Sequence, residues 1–119
     1  MKEDNKILNL TFDFSIQIIG LYKLLVQQNE YVISKQLLRS ATSIGANVEE
    51  ATAAQTKKDF IMKMSIASKE ARESKYWLRL LDKSQMVKAD YSTYLTTIEH
   101  IINILTKIVK TSQETLNAK

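Results

Sequence analysis

Residues that break helices are nearly missing from this sequence. Proline is absent, and the only glycines in the 119 residues are Gly20 and Gly45. Sheet proteins need many more turn-forming residues than this, whereas long helices exclude them from their interiors. With 45% hydrophobic residues, the chain is long enough to bury a core of its own. The sequence therefore predicts an all-α fold in a single domain over residues 1–119.

Four segments repeat apolar residues at the three- and four-residue spacing of one helix face. We predict helices at about 11–28, 32–54, 57–84 and 90–115. Residues 1–9 are expected to be only loosely attached. Thr11 and Asp90 are the predicted N-caps of the first and fourth helices, because their side-chain oxygens can accept from free backbone N–H groups. Thr56, with Asp59 three residues later, resembles a capping box for the third helix.

The second predicted helix contains an unusual run of small residues within 36–51, QLLRSATSIGANVEEA. One face of this segment is apolar or small at Leu37, Ala41, Ile44, Val48 and Ala51. Gly45 alone costs about 1 kcal/mol relative to Ala in a helix interior, so small residues are expected where another backbone comes close. The middle of the third helix is also small, at Ala67, Ala71 and Ser74, and would face the second helix if the two are antiparallel. This pairing predicts an antiparallel up-down four-helix bundle.

The first and fourth predicted helices each have a second apolar stripe. These stripes consist of Phe12, Ile16, Ile19 and Val26 on the first helix, and of Tyr94, Ile101, Ile104 and Ile108 on the fourth. A bundle core covers a single stripe on each helix, and a large exposed apolar surface usually marks an interface. We therefore expect a homo-oligomer. The alternative is a monomer whose first and fourth helices are buried on two sides.

Three stretches of the chain resemble the four-helix-bundle family of 23S rRNA intervening-sequence proteins, which also includes accessory proteins of diversity-generating retroelements. They are LTFDFSIQIIGLYKLL at 10–25, QLLRSATSIGANVEEA at 36–51 followed by KDFI at 58–61, and EARESKYWLRLL at 70–81. The resemblance spans nearly the whole chain. It implies an up-down four-helix bundle that forms a ring-shaped homo-oligomer such as a pentamer. It also implies nucleic acid as the partner, with RNA or a reverse transcriptase as the expected molecules.

The residue types needed for common catalytic and metal sites are scarce. The chain has no cysteine, its one histidine is His100, and the Glu-x-x-His motif of di-iron bundles does not occur. Neither glycine has a second glycine nearby, as a phosphate-binding loop requires. The acidic pairs Glu49–Glu50 and Glu70–Glu73 are better explained as ion-pair partners of Lys or Arg than as acid-base catalysts. We predict a non-enzyme with no catalytic residue, metal, cofactor or small-molecule substrate.

The expected location is the cytoplasm. The first six residues, MKEDNK, do not resemble a signal peptide. The sequence also lacks an apolar run approaching the ~20 residues of a membrane span, so we expect no membrane partner.

Basic residues outnumber acidic residues by 17 to 13, which gives a formal net charge of +4. Six of them fall within a sector of roughly 120° on the third helix. These are Lys58, Lys69, Arg72, Lys75, Arg79 and Lys83. Lys35 and Arg39 are neighbours on the polar face of the second helix. Cations along a rigid rod can contact successive phosphates, so these eight residues are the predicted nucleic-acid contacts, and Tyr76 beside them could stack on an unpaired base.

The basic residues of the third helix also have a simpler interpretation as a solvated helix face. Arg39 has an alternative of its own, because it could bridge to an acidic residue inside the assembly. The candidate acidic partners are Glu49, Glu50, Glu70 and Glu73.

A different side of the third helix supplies the predicted oligomer interface, which consists of Ile66, Glu70, Glu73 and Trp77. Aromatic anchors are enriched at interfaces, although Trp77 could equally pack in the core of its own chain. Together these observations predict a homo-oligomeric bundle whose basic surface binds structured RNA or a nucleic-acid-processing partner. The alternative function is a protein-interaction or scaffold module with no nucleic-acid role.

Overall fold

The computed structural model describes residues 2–118 as four α-helices joined by short connections. They are α1 Lys2–Gln27, α2 Ile33–Thr52, α3 Lys57–Ser84 and α4 Ser92–Asn117. Each helix packs against its neighbours in chain order, and α4 closes the bundle against α1. Within residues 2–118, no Cα atom of α1 lies within 8 Å of one in α3, and the same holds for α2 and α4, so each of these pairs lies on a diagonal. The bundle measures 52 × 22 × 22 Å and has the predicted all-α, up-down four-helix architecture.

α1 begins at Lys2, so the predicted start at Thr11 is wrong. Thr11 is fully buried within the helix, and its hydroxyl donates to the carbonyl of Ile7 at 2.8 Å instead of capping a helix end. Ile7 is itself fully buried, and Leu8 and Leu10 pack partly against the core. Because the bundle buries these apolar side chains, residues 2–9 are helical and not loose. Residue 1, which the same prediction included, lies outside the described residues, as does residue 119.

A buried carboxylate fixes the start of α2, which is predicted at 32–54 and observed at Ile33–Thr52. Glu30 is only 7% exposed and accepts hydrogen bonds from the backbone N–H groups of Val32, Ile33 and Ser34. Burial by itself would raise the pKa of Glu30, but these hydrogen bonds lower it below the ordinary value. Glu30 therefore satisfies three of the backbone donors that a helix N-terminus leaves free.

α3 begins and ends where the sequence predicts, at Lys57 and Ser84. The Thr56 hydroxyl oxygen accepts from the backbone N–H of Asp59 at 3.0 Å, which confirms Thr56 as the N-cap. At the other end, Gln85 adopts a left-handed conformation with φ of 47°, and this stops the helix.

α4 begins two residues after the predicted start at 90, and Asp90 is not its N-cap. The Asp90 side chain accepts from the backbone N–H of Ser92 at 2.9 Å, within the preceding turn. Tyr91 occupies the cap position and is fully buried, with its hydroxyl donating to the carbonyl of Val87 at 2.7 Å. Anchoring of Tyr91 in the core thus sets the start of α4 in place of a side-chain cap.

The small residues of α2 allow other helices to approach it on two sides. Its predicted apolar face is confirmed, since all five positions are buried: Leu37, Ala41, Ile44, Val48 and Ala51. Toward α1, a Cβ atom added to Gly45 would lie 3.4 Å from the carbonyl oxygen of Thr11. Toward α3, the buried hydroxyls of Ser40 and Ser74 are 2.8 Å apart and share a hydrogen bond. α2 is therefore the helix that both α1 and α3 pack against closely.

The second apolar stripe of α1 lies on the outside of the bundle. Phe12, Ile16 and Ile19, which we call the outer α1 face, are 60%, 55% and 36% exposed. Val26, the fourth member of the stripe, is half-buried. The expectation that α1 has more apolar surface than its own core covers is confirmed.

The second stripe of α4 is mostly inside the bundle, so the corresponding expectation for α4 is wrong. Ile101 and Ile108 are buried, and Tyr94 and Ile104 pack partly against the core. The reason is that the second stripe of α4 lies only about 80° around the helix from its core stripe, whereas the second stripe of α1 lies on nearly the opposite side of α1 from the core. None of the helices within residues 2–118 combines the length and the apolar character that crossing a membrane would require.

Candidate nucleic-acid interface

Six cations follow one side of α3 where it adjoins α4. This basic strip consists of Lys58, Lys69, Arg72, Lys75, Arg79 and Lys83. Its position is shown by two contacts to α4, from Arg72 Nη2 to Thr106 Oγ1 at 3.2 Å and from Lys75 Nζ to Glu99 Oε2 at 2.6 Å. At the rise of an α-helix, the strip extends for about 37 Å. Because α3 is one continuous helix, these two contacts identify the side of α3 on which the six residues lie as the side next to α4.

An open groove of about 280 Å³ lies between α3 and α4 beside the basic strip. Its lining consists of cations, hydroxyls, an amide and one apolar residue, namely Ser65, Ser68, Lys69, Arg72, Thr106, Val109, Lys110 and Gln113. None of these residues is acidic. Lys110 is not among the cations predicted to contact nucleic acid, because the side of α4 that faces α3 is known only once the helices are packed. Hydroxyl, amide and cationic donors in one groove are suited to phosphate oxygens.

The cations of the basic strip differ in how free they are to bind an anion. Lys69, Arg79 and Lys83 form no ion pair with another residue of the described chain. Lys75 is already paired with Glu99, and Arg72 donates to a neutral hydroxyl. Glu99 therefore neutralises the strip at Lys75 and leaves the charge of the neighbouring cations uncompensated.

Arg39 and Lys35 lie apart from the basic strip. The Arg39 guanidinium reaches the edge of α3 that faces α2, where its Nη1 is 3.4 Å from Glu70 Oε1 and its Nη2 pairs with Glu73. Arg39 therefore bridges to acidic residues, as the alternative interpretation of this residue expected, and it does so within one chain. Lys35 is exposed in the first turn of α2, between the buried residues Ser34 and Leu37. The eight predicted cations therefore do not form one surface, because α2 and α4 pack on different edges of α3.

Glu73 links Arg39 to the only tryptophan of the chain. The indole Nε1 of Trp77 donates to Glu73 Oε2 at 2.9 Å. This hydrogen bond and the neighbouring Arg39 lower the pKa of Glu73, against the opposing effect of burial. The Trp77 ring is partly buried against the core and meets Tyr76 edge-to-face, with the ring centroids 5.2 Å apart. Trp77 is therefore held by contacts within its own chain, whether or not its remaining surface meets another copy.

Exposed apolar residues lie on α3 between the Arg39 cluster and the basic strip. We call Met62, Ile66, Tyr76 and Leu80 the outer α3 face; they are 59%, 36%, 52% and 36% exposed. Only Ile66 belongs to the predicted interface. Met62 and Leu80 repeat at the same helical spacing and could have been found from that pattern.

The described residues offer little for metal or acid-base chemistry. No group of three or more His, Cys, Asp or Glu side chains among them is arranged to hold a metal ion. His100 is exposed on α4. What this arrangement supplies is electrostatic attraction along the basic strip and apolar surface on the outer faces of α1 and α3.

Comparison with known proteins identifies a protein family and similar solved structures. A family model described as 23S rRNA-intervening sequence protein matches residues 3–107. The chain is also similar to a crystal structure, at 1.70 Å resolution, of a protein of unknown function from the S23 ribosomal protein family of Bacteroides thetaiotaomicron VPI-5482. That similarity covers 91% of this chain and 98% of the other, with 44% sequence identity and a TM-score of 0.86. A comparison with curated proteins found no match.

Proposed function

The chain belongs to the 23S rRNA-intervening sequence protein family, and on that premise we propose that it is a non-enzymatic homo-oligomeric bundle that binds structured RNA through its basic strip. The observation that supports this proposal is the placement of six cations along one side of α3, beside a groove without acidic residues. The family's name associates it with an intervening sequence of 23S rRNA, and this favours RNA over other polyanions.

The mechanism is electrostatic. The strip is a straight row because α3 is a single helix of 28 residues, and its length of about 37 Å matches several successive phosphates of an RNA backbone. Lys69, Arg72 and Lys110 surround the groove, where the hydroxyls of Ser65 and Ser68 can donate to the same phosphate. Such contacts hold and orient the RNA without reading its bases. Tyr76, exposed next to the strip, is positioned to stack on an unpaired base.

Self-association is the second part of this proposal. The predicted interface residues Ile66, Glu70, Glu73 and Trp77 lie on or beside the outer α3 face, whose apolar side chains are exposed in a single copy. Covering Met62 and Ile66 of this face with another copy would remove them from water, and a ring such as a pentamer would repeat the basic strip around the assembly.

The RNA proposal is tested with a fluorescein-labelled RNA hairpin, whose anisotropy is measured against protein concentration over a series of salt concentrations. The test variant combines Arg72→Gln and Arg79→Gln, which avoids the already paired Lys75. We expect weaker binding at every salt concentration and a log–log salt slope that falls by about one unit for each lost phosphate contact. The control combines Lys6→Gln and Lys88→Gln, two exposed lysines outside the strip, and should leave the slope nearly unchanged.

Equal losses in the two double variants would mean that net charge, and not the basic strip, attracts RNA. No measurable binding by the unmodified protein would favour the second candidate function, a scaffold or protein-interaction module. The observation that favours this second candidate is the exposed outer α3 face, which fits a protein surface better than a polyanion.

A further inference from the structure

A cavity of about 490 Å³ opens at the end of the bundle where α2 ends and α3 begins. We call it the end cavity. Each of the four helices contributes an apolar residue to its walls, namely Leu8, Ala51, Phe60 and Ile108. Ala51 and Ile108 are buried, and Leu8 and Phe60 are partly buried against the core. The end cavity therefore has an apolar interior and a volume in the range of ligand-binding sites.

Polar side chains without a hydrogen-bond partner also line the end cavity. They are the amides of Asn5 and Gln55 and the hydroxyl of Ser112, none of which is hydrogen-bonded to another residue within 5–118. Ser112 is only 7% exposed, and a buried hydroxyl without a partner costs free energy unless another molecule bonds to it. An amide offers both a donor and an acceptor. These groups suit a ligand with an apolar body and a polar edge.

The charge at the end cavity favours an anion. None of the residues that line it is acidic, and its one cation, Lys57, forms no ion pair within the described chain. Because α3 begins at Lys57, the positive end of the helix dipole lies at the same place. Lys57 Nζ is 5.6 Å from the centroid of the Phe60 ring. A cation and an aromatic ring side by side match the phosphate and the base of one nucleotide.

The end cavity lies next to the surface already assigned to RNA. Lys58, the first cation of the basic strip, directly follows Lys57. On α4, Ser112 lines the end cavity and Gln113 lines the groove beside the strip. From Ser65 in that groove to Lys57, the distance along α3 is about 12 Å. A single strand of a few nucleotides can therefore run from the groove around the start of α3 to the end cavity.

We propose that the end cavity receives an unpaired base of the RNA that the basic strip holds. This inference rests on the proposed function and adds recognition of a base, which phosphate contacts alone do not supply. The faces of the base contact Phe60 and the other apolar walls, and its edge bonds to the amides of Asn5 and Gln55. Lys57 pairs with the phosphate of the same nucleotide. Only a base outside a duplex can enter, because a paired base keeps its edge in the helix.

An RNA tail with and without its bases tests this proposal. The labelled hairpin is extended by a short single-stranded tail of uridines, and a second probe carries the same tail with abasic sites, which keep every phosphate. We expect the uridine tail to bind about fivefold more tightly or better, because each base that stacks on an aromatic side chain adds affinity. The two probes should have equal salt slopes, since they have equal charge.

A double variant without a change of charge assigns the gain to the end cavity. Asn5→Ala combined with Gln55→Ala should remove most of the advantage of the uridine tail and leave the affinity for the tail-free hairpin unchanged. The matched control combines Asn9→Ala and Gln36→Ala, an exposed asparagine of α1 and an exposed glutamine of α2 outside the cavity. This control should keep the full advantage of the tail.

Photo-cross-linking locates the base. A tail that carries 5-iodouridine reacts on illumination with an aromatic side chain in contact with the base. Trypsin separates the candidates, because Phe60 lies in the peptide 59–63 and Tyr76 in the peptide 76–79. We expect the adduct on 59–63.

Several results would overturn the proposal. Equal affinities for the uridine and abasic tails, with the hairpin still bound, would reject the base site and leave RNA binding by the basic strip standing. An adduct on 76–79 alone would place the base at Tyr76. Saturation by free uridine monophosphate, with no advantage for the tailed RNA, would assign the cavity to a mononucleotide. Failure of every RNA probe to bind would reject the proposed function together with this inference.

Discussion

At the scale of single residues, the carboxylates of Glu30 and Glu73 hold neighbouring groups in place through hydrogen bonds, and neither residue belongs to the basic strip. Glu30 accepts hydrogen bonds from the backbone N–H groups at the start of α2, and Glu73 binds both Arg39 and Trp77. Both have a pKa below the ordinary value of a glutamate, because their hydrogen bonds favour the charged form. The lowered pKa values therefore reflect structural roles, and they do not indicate acid-base catalysis.

Replacing Glu30 with Gln should destabilise the fold in a pH-dependent way. At neutral pH we expect the free energy of unfolding to fall by about 1–2 kcal/mol, because the amide offers the backbone donors a weaker acceptor. The folded-state pKa of Glu30 lies below its unfolded value, so its stabilising contribution is present above the unfolded pKa and is lost as the pH falls through the folded pKa. The difference between the two proteins should therefore shrink in acid.

Urea denaturation at neutral pH and at about pH 3 measures this difference. Glu49→Gln, a change at an exposed glutamate of the same helix, is the control and should cost little at either pH. A Glu30→Gln variant as stable as the unmodified protein at neutral pH would contradict the capping role.

At the scale of helices, α4 determines how strongly α3 can bind an anion. It contributes Glu99, which neutralises Lys75 in the middle of the basic strip, and Lys110, which adds a cation to the groove. The charge that the basic strip presents is therefore a property of the two helices packed together and not of α3 alone.

Glu99→Gln should strengthen RNA binding. The change frees Lys75 and removes the carboxylate that lies closest to the strip. We expect the affinity for the labelled hairpin to rise several-fold at low salt and the salt slope to increase by about one unit, as one more phosphate contact forms. Glu114→Gln, which removes an equal charge near the end of α4, serves as the control and should change the slope little. Equal effects of the two variants would show that Lys75 makes no phosphate contact.

At the scale of the whole molecule, the diagonal placement of α1 and α3 determines where the exposed apolar surfaces lie. It separates two exposed apolar faces by the full width of the bundle, which is 22 Å. A single copy leaves both faces in water, and a partner that covers one of them cannot reach the other.

Trp77→Ala should shift the solution mass toward the monomer. Trp77 is partly buried beside the outer α3 face, so its removal deletes apolar surface and also frees Glu73 from the indole N–H. Light scattering measures the mass, and circular dichroism verifies that the variant keeps its helices. Tyr31→Ala, at an exposed tyrosine in the α1–α2 connection, is the matched control. An unchanged mass in a folded Trp77→Ala variant would place Trp77 in the core of its own chain only.

Local patterns in the sequence determine much of this fold. The bounds of α3 follow from the Thr56 cap, and the buried face of α2 follows from its helical spacing, because both depend on residues within a few positions of one another. The six cations of the basic strip share one side of α3 for the same reason. Each of these features can be predicted without knowing which helices are neighbours.

Other features depend on which helices are neighbours, and only the tertiary structure decides them. The start of α1 depends on burial of Ile7 in the bundle, and the second stripe of α4 is buried because it lies close to the core side of its helix, unlike the second stripe of α1. Arg39 forms an ion pair because α2 packs on one edge of α3, and Lys110 lines the groove because α4 packs on the other. The sequence alone determines which residues share a helix face, whereas packing determines whether that face meets the core, another helix or solvent, since that choice depends on contacts between residues far apart in the chain.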